Sequence, residues 1–201
     1  MVCVYCDNGF YRILTLGVGQ NPEVLFITCS DSRIDPNMVT QTGPGDLFIC
    51  RNAGNVVPPH SNQTGGMTAS IEFAVAALGV EHIVICGHTD CGAMKGALAP
   101  EALDELPHVK EWLGHCRGAT EVVKHKHGSV GSEHLDEVTK ENVLLQIQHL
   151  KTHPSVAGRL SKPEKFSVTT INQKALSLWK NVTLAKQRLN RPLVFSKLQD
   201  I

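Results

Sequence analysis

No stretch of this sequence approaches the roughly 20 consecutive apolar residues that a membrane span requires. Its opening segment, residues 1–20, has neither a basic start nor a continuous apolar run. Neither a membrane span nor a secretory leader is expected, and the chain is placed inside the cell, in the cytoplasm. A charge imbalance is also missing, because 19 Lys and Arg offset 19 Asp and Glu. No net field therefore recruits nucleic acid or an anionic membrane surface, and a small neutral or mobile substrate is the better fit. The dense, even-numbered cysteine spacing of a disulfide-stapled miniprotein is absent as well. Seven cysteines stand in varied contexts and read as thiols and metal ligands. No internal repeat is visible.

What is present suits one globular domain over residues 1–201, since 42% of the chain is hydrophobic. Three short apolar runs rich in β-branched residues, Val24 to Cys29, Leu47 to Arg51 and His82 to Cys86, read as buried strands. None alternates with a period of two, which predicts parallel strands covered on both faces. A helical pattern from Met67 to Leu78 ends at Gly79, and a second runs from about Glu133 to Lys151 before His153-Pro154. The fold class is therefore α/β, a mainly parallel β-sheet flanked by helices. Phe166 to Ile171 reads as a short further strand and Asn172 to Leu189 as a helix around Leu176, Trp179 and Leu184. The run Lys124-His125-Lys126-His127 reads as a solvated loop.

The first strand ends in Cys29-Ser30-Asp31-Ser32-Arg33, and the third leads into Gly87-His88-Thr89-Asp90-Cys91-Gly92. In open parallel sheets, functional groups gather beyond the carboxyl ends of strands, so these two loops are expected to converge. Two thiolates and one imidazole form a good zinc set that leaves a fourth position for water, and their softness disfavours magnesium and calcium. Cys91-Gly92-Ala93-Met94 looks like a helix start, which favours the Cys91 thiolate through the helix dipole. Asp31 and Arg33 are spaced for a charge-assisted pair that keeps Asp31 ionised. A closed site, with Asp31 as the fourth ligand, is the alternative arrangement. Each fragment alone is ordinary, since a single cysteine usually packs in a core, and it is their combination after two buried strands that points to zinc.

At these residues the sequence resembles the β-class carbonic anhydrases, whose signature is a Cys-x-Asp-x-Arg loop followed by a His-x-x-Cys loop. The resemblance extends through Gly45-Asp46-Leu47-Phe48, Arg51-Asn52-Ala53-Gly54-Asn55, Ile71-Glu72-Phe73-Ala74 and Glu141-Asn142-Val143, covering roughly residues 19–160. It implies one Zn2+ per chain on Cys29, His88 and Cys91, with Asp31 and Arg33 as the catalytic dyad. It further implies Gln20 as a substrate amide donor, Phe48 and Phe73 as apolar walls of a carbon dioxide pocket, and Ala53 where a larger aliphatic residue is common. A homodimer or higher homo-oligomer is implied too, with pockets at the subunit boundary and the glutamine contributed across it. Residues 1–18, with their Cys3-x-x-Cys6 pair, and residues 161–201 depart from the family pattern.

The expected reaction is reversible hydration of carbon dioxide to bicarbonate and a proton, with zinc lowering the pKa of its bound water to about 7. His60, after Pro58-Pro59, is a candidate proton shuttle. Hydrolysis of carbon disulfide or carbonyl sulfide at the same site, and zinc binding without turnover, are the alternative readings. A thiol–disulfide function for Cys3-Val4-Tyr5-Cys6 would need a preceding strand, for which Met1-Val2 leaves no room. Cys50 and Cys86 are expected to pack as small hydrophobes.

Overall fold

A computed structural model describes residues 17, 19–61, 65–161 and 166–171. The Cys3/Cys6 pair and the expected helix at 172–189 lie outside the described residues. The chain enters through β1 (Val24–Cys29), whose last five residues are buried. A short helix α1 (Pro36–Thr40) follows, started by Asp35, which accepts a hydrogen bond from the Met38 amide, and by proline in its first turn. β2 (Leu47–Asn52) runs one residue beyond the expected strand.

The expected helix from Met67 is real but changes pitch partway. It begins as α2 (Gly66–Glu72) and continues as a π-helical segment, Phe73–Ala77, in which the Leu78 amide donates to the Phe73 carbonyl five residues back. Gly79 at φ +70° then ends it, as the sequence requires. β3 (His82–Cys86) is buried over its last four residues.

Beyond β3 lies a helical layer. It contains α3 (Gly92–Leu98), α4 (Pro107–Leu113), α5 (Arg117–His127), α6 (Leu135–Lys151) and α7 (Pro154–Leu160). The loop expected at Lys124–His127 is instead the last turn of α5, because Ala119, Thr120 and Val123 give that segment a buried stripe. Its polar face is tied to α6 by Lys126, which pairs with Glu137 and Glu141, and by His127, which pairs with Glu137. Pro154 closes α6, as expected, and also opens α7 from its first turn. The expected strand near the end of the core is β4 (Ser167–Ile171).

The four strands form one parallel sheet in the order β2-β1-β3-β4. The connection from β1 goes outward to β2, and the chain then returns to the other side of β1 with β3. This reversal puts a topological switch point between β1 and β3, where crevices open at the carboxyl ends of strands. Leu25 and Ile27 pack on one sheet face with Ile83, Ile85, Ile71 and Leu150, while Phe26 and Val84 point to the other. A second cluster, of Val56, Met94, Leu113, Cys116, Val123 and Val138, surrounds Cys29 and Cys91. Among the described residues no helix is long and apolar enough to cross a membrane.

A buried polar strut links the layers. Gln146 on α6 accepts from the Val57 amide at 2.8 Å and donates to Asn142 Oδ1 at 2.8 Å. Gln146→Leu strands both partners in the interior, and urea unfolding is expected to show a loss of about 2–4 kcal/mol; a loss below about 0.5 kcal/mol would mean that the strut carries no weight.

Candidate metal centre

Register brings the two motif loops together. Thr28 lies opposite Cys86 in the β1/β3 pair, so Cys29 and Gly87 leave the sheet side by side. Gly87 must be glycine here, since an added Cβ would stand 2.7 Å from Val143 Cγ2 on α6. The loop then carries His88 inward, and Cys91 caps α3. Ligand atoms of Cys29, His88 and Cys91 all lie within 4.8 Å of one another, and all three residues are buried.

Three observations test this trio as a metal site. The Cys29 and Cys91 sulfurs are 4.0 Å apart, against about 3.8 Å for two sulfurs bound at 2.3 Å to one tetrahedral ion. His88 Nδ1 lies 2.9 Å from the Thr89 carbonyl. A carbonyl only accepts, so Nδ1 carries the proton and Nε2 holds a free lone pair. That Nε2 is buried without a hydrogen-bond partner, an arrangement proteins avoid unless something else satisfies the atom. The residues fit a zinc ion.

Electrostatics single out Cys29 from the other cysteines. Hydrogen bonding from Cys91, opposed by burial and helped by the Gly54 amide, lowers the Cys29 thiol. The same contact, together with burial, pushes Cys91 up. Burial alone raises Cys116 to about 12, and it holds Cys86 at about 11 despite a bond from Thr28. Both remain thiols in the core, as does Cys50, which burial also raises. The sequence suggests no role for Cys116; it is a fully buried member of the second cluster.

Beside the trio, Arg33 grips Asp31 with a two-pronged fork, Nε to Oδ1 at 2.9 Å and Nη2 to Oδ2 at 2.8 Å. This fork holds the Asp31 carboxyl well below the usual carboxylate range. Asp31 Oδ2 stands 3.8 Å from His88 Nε2, so the carboxylate overlooks the three ligand atoms without bonding to the imidazole. Two partners had no signal in the motif pattern. Asp90, at φ +55°, takes Arg33 Nη1 on its carboxylate at 3.1 Å and is itself paired with Lys95. Arg51 donates to the carbonyls of Cys29 at 3.1 Å and Asp31 at 2.7 Å, fixing the loop between them.

The expected substrate residues are not in this group within one chain. Phe48 pairs with Leu25 while Asn52 pairs with Cys29, so Phe48 lies four residues, about 13 Å, up the strand from the site. Its ring meets Phe73 at 6.1 Å between centroids, and Phe73 is 47% exposed. Gln20, also exposed, precedes β1 at the strand end remote from Cys29. Ala53 contributes its carbonyl to the Trp112 indole at 2.9 Å. His60 is exposed, with its ring edge-on to His153 at 5.7 Å.

A parallel α/β sheet with a Cys-His-Cys cluster at its switch point defines a class of metal-capable enzyme folds. A family model described as carbonic anhydrase matches residues 24–172. The carbonic anhydrase of Synechococcus elongatus is 53% identical over 144 residues, covering 71% of this chain and 53% of that protein. The chain thus spans about half the length of that relative. The solved β-carbonic anhydrase CcaA superposes with a TM-score of 0.76 at 39% identity, covering 83% of this chain and 82% of that one. Two tetrameric β-carbonic anhydrases from Sordaria macrospora are represented at a TM-score of 0.70 and 28% identity, with 86% and 84% covered. The chain belongs to the β-class carbonic anhydrase family.

The fork makes a direct prediction. In Arg33→Met, the Asp31 carboxyl should titrate higher, part of the way back to the ordinary carboxylate range, because the residue 33 backbone amide still donates to Oδ1; carboxyl carbon NMR reads the change, and a titration left in its depressed position would assign the shift to some group other than the guanidinium.

Proposed function

We propose that this protein catalyses the reversible hydration of carbon dioxide to bicarbonate and a proton, with one zinc ion held by Cys29, His88 and Cys91. The observation that carries the reading is the buried, unpartnered His88 Nε2 facing two sulfurs 4.0 Å apart, under a carboxylate clamped by arginine. A zinc ion there supplies Lewis acidity, enough to bring the pKa of water down to about 7. Asp31 is the acceptor that orients the nucleophile, because a carboxylate kept ionised takes a hydrogen bond and gives none. Arg33 spends its fork on both Asp31 oxygens, which supports an open site over one in which Asp31 swings in as a fourth ligand.

Gln20, Phe48 and Phe73 serve the pocket of a neighbouring chain in a homo-oligomer, the two rings walling an uncharged substrate and the amide binding its developing charge. The position of Phe48 toward the far end of β2, with the Phe73 ring against it, and the tetrameric Sordaria macrospora relatives support this assembly. The proposed ligand pair Cys29 and Cys91 needs both sulfurs reduced, a requirement that a cytoplasmic location would meet.

Stopped-flow carbon dioxide hydration, with zinc measured on the same sample, tests the reading. About one zinc per chain with turnover is expected, and Cys29→Ser should lose both. Asp31→Asn should keep its zinc while kcat falls about 10²–10⁴-fold. Stoichiometric zinc with no hydration would leave a metal-binding protein without this activity.

A further inference from the structure

The Ala53–Gly54 peptide group is bonded at both ends, and one end is a proposed metal ligand. Its N–H donates to Cys29 Sγ at 3.4 Å. Its carbonyl, on the opposite side of a trans peptide, accepts the indole N–H of Trp112 at 2.9 Å. Trp112 belongs to α4, far in sequence from either motif.

The surroundings prevent this peptide from turning. Gly54 sits at φ +82°, and an added Cβ would stand 3.0 Å from Met94 Cε and 3.1 Å from Ala93 Cβ, so only glycine lets its N–H approach the sulfur. The next carbonyl, that of Gly54, is held by Asn142 Nδ2 at 3.1 Å from α6. The Asn52 side chain closes the loop with bonds to both the amide and the carbonyl of Val56. A donor on a peptide carbonyl polarises the group and strengthens its N–H in turn. An N–H bonded to a thiolate withdraws electron density from the sulfur, which is one of the ways a protein tunes a metal without touching it.

We propose that Trp112 is a positioning residue for the metal centre, acting through the Ala53–Gly54 peptide to set the donor strength of the Cys29 thiolate. The inference rests on Cys29 being a metal ligand, as argued above. Loss of the indole N–H weakens the Gly54 bond and leaves a more strongly donating sulfur, and hence a weaker Lewis acid in the site.

The test uses Co2+-substituted protein to read the sulfur-to-cobalt charge-transfer absorption and the diamagnetic Zn2+-loaded protein to read the Gly54 amide proton resonance as a second signal. Two changes are compared with the parent: Trp112→Phe, and replacement of Trp112 by benzothienylalanine, which keeps the bicyclic shape and puts sulfur where the N–H was. Both are expected to move the band to lower energy and the Gly54 resonance upfield. The isostere carries the test even where Trp112→Phe does not fold. A folded isostere with an unmoved band and an unmoved Gly54 resonance overturns the proposal and makes Trp112 a packing residue alone. A parent protein that takes up Co2+ with no sulfur charge-transfer band overturns the metal-site reading and this inference with it, so the two failures look different.

Discussion

Everything in the candidate site depends on the register of β1 against β3. Thr28 and Cys86 are the last pair, and the Thr28 hydroxyl donates to the Cys86 carbonyl at 3.0 Å. Leu25, Ile27 and Cys29 share one face by alternation. A slip of one residue would turn Cys29 to the opposite face and put Phe26 where Ile27 packs. The core enforces the register because the two faces of β1 pack against different side chains, so a slipped pairing would put each residue into a space shaped for another. The same hydrophobic packing that holds the sheet together therefore aims a thiol and an imidazole at one point.

Helix α6 does the second half of the positioning. Val143 fills the space that a Cβ at residue 87 would need, so glycine there lets the His88 loop run close to the helix. One residue earlier Asn142 holds the Gly54 carbonyl, and one turn later Gln146 holds the Val57 amide. Loops from β2 and from β3 are thus gripped by one helix. A buried polar network of this kind specifies a single arrangement only when every member is satisfied. Among these groups the Asn142 and Gln146 amides bond to each other as well as to the backbone.

Sequence reading captured the elements whose signal is burial. The β-branched runs of β1 and β3 have the bounds expected of them, because a strand covered on both faces is continuously apolar. It missed distinctions that leave the pattern unchanged. The turn from α to π pitch at Phe73 uses the same apolar residue types that an α-helix would. The end of α5 looked like a loop because its exposed side holds only Lys and His, while the stripe of Ala119, Thr120 and Val123 lies further back. The cysteines and histidine of the site were legible, since metal ligands must be those residue types. Gly54, Trp112 and Asn142 were not identified as supports, because a hydrogen bond to a backbone carbonyl or sulfur can come from many residue types and leaves no spacing rule.

The placement of Phe48 and Phe73 decides what a complete pocket requires. Phe48 belongs to the amino-terminal half of the sheet and Phe73 packs against its ring from the helix, while the thiols and His88 belong to the carboxyl end of the sheet. A parallel strand cannot present its two ends to one small substrate, so a single copy holds either the polar half of the proposed pocket or its apolar wall at any one place. Phe73 is 47% exposed and Ile49 on the edge strand 36%, and burying one such aromatic side chain is worth about 1.5–3 kcal/mol. β2 is also an edge of the described sheet, the kind of strand to which a neighbour can pair. A second copy seated there would cover the exposed apolar groups and bring its own aromatic wall toward the site it faces. In the proposed enzyme, association and catalysis are therefore one requirement, met by the same surface.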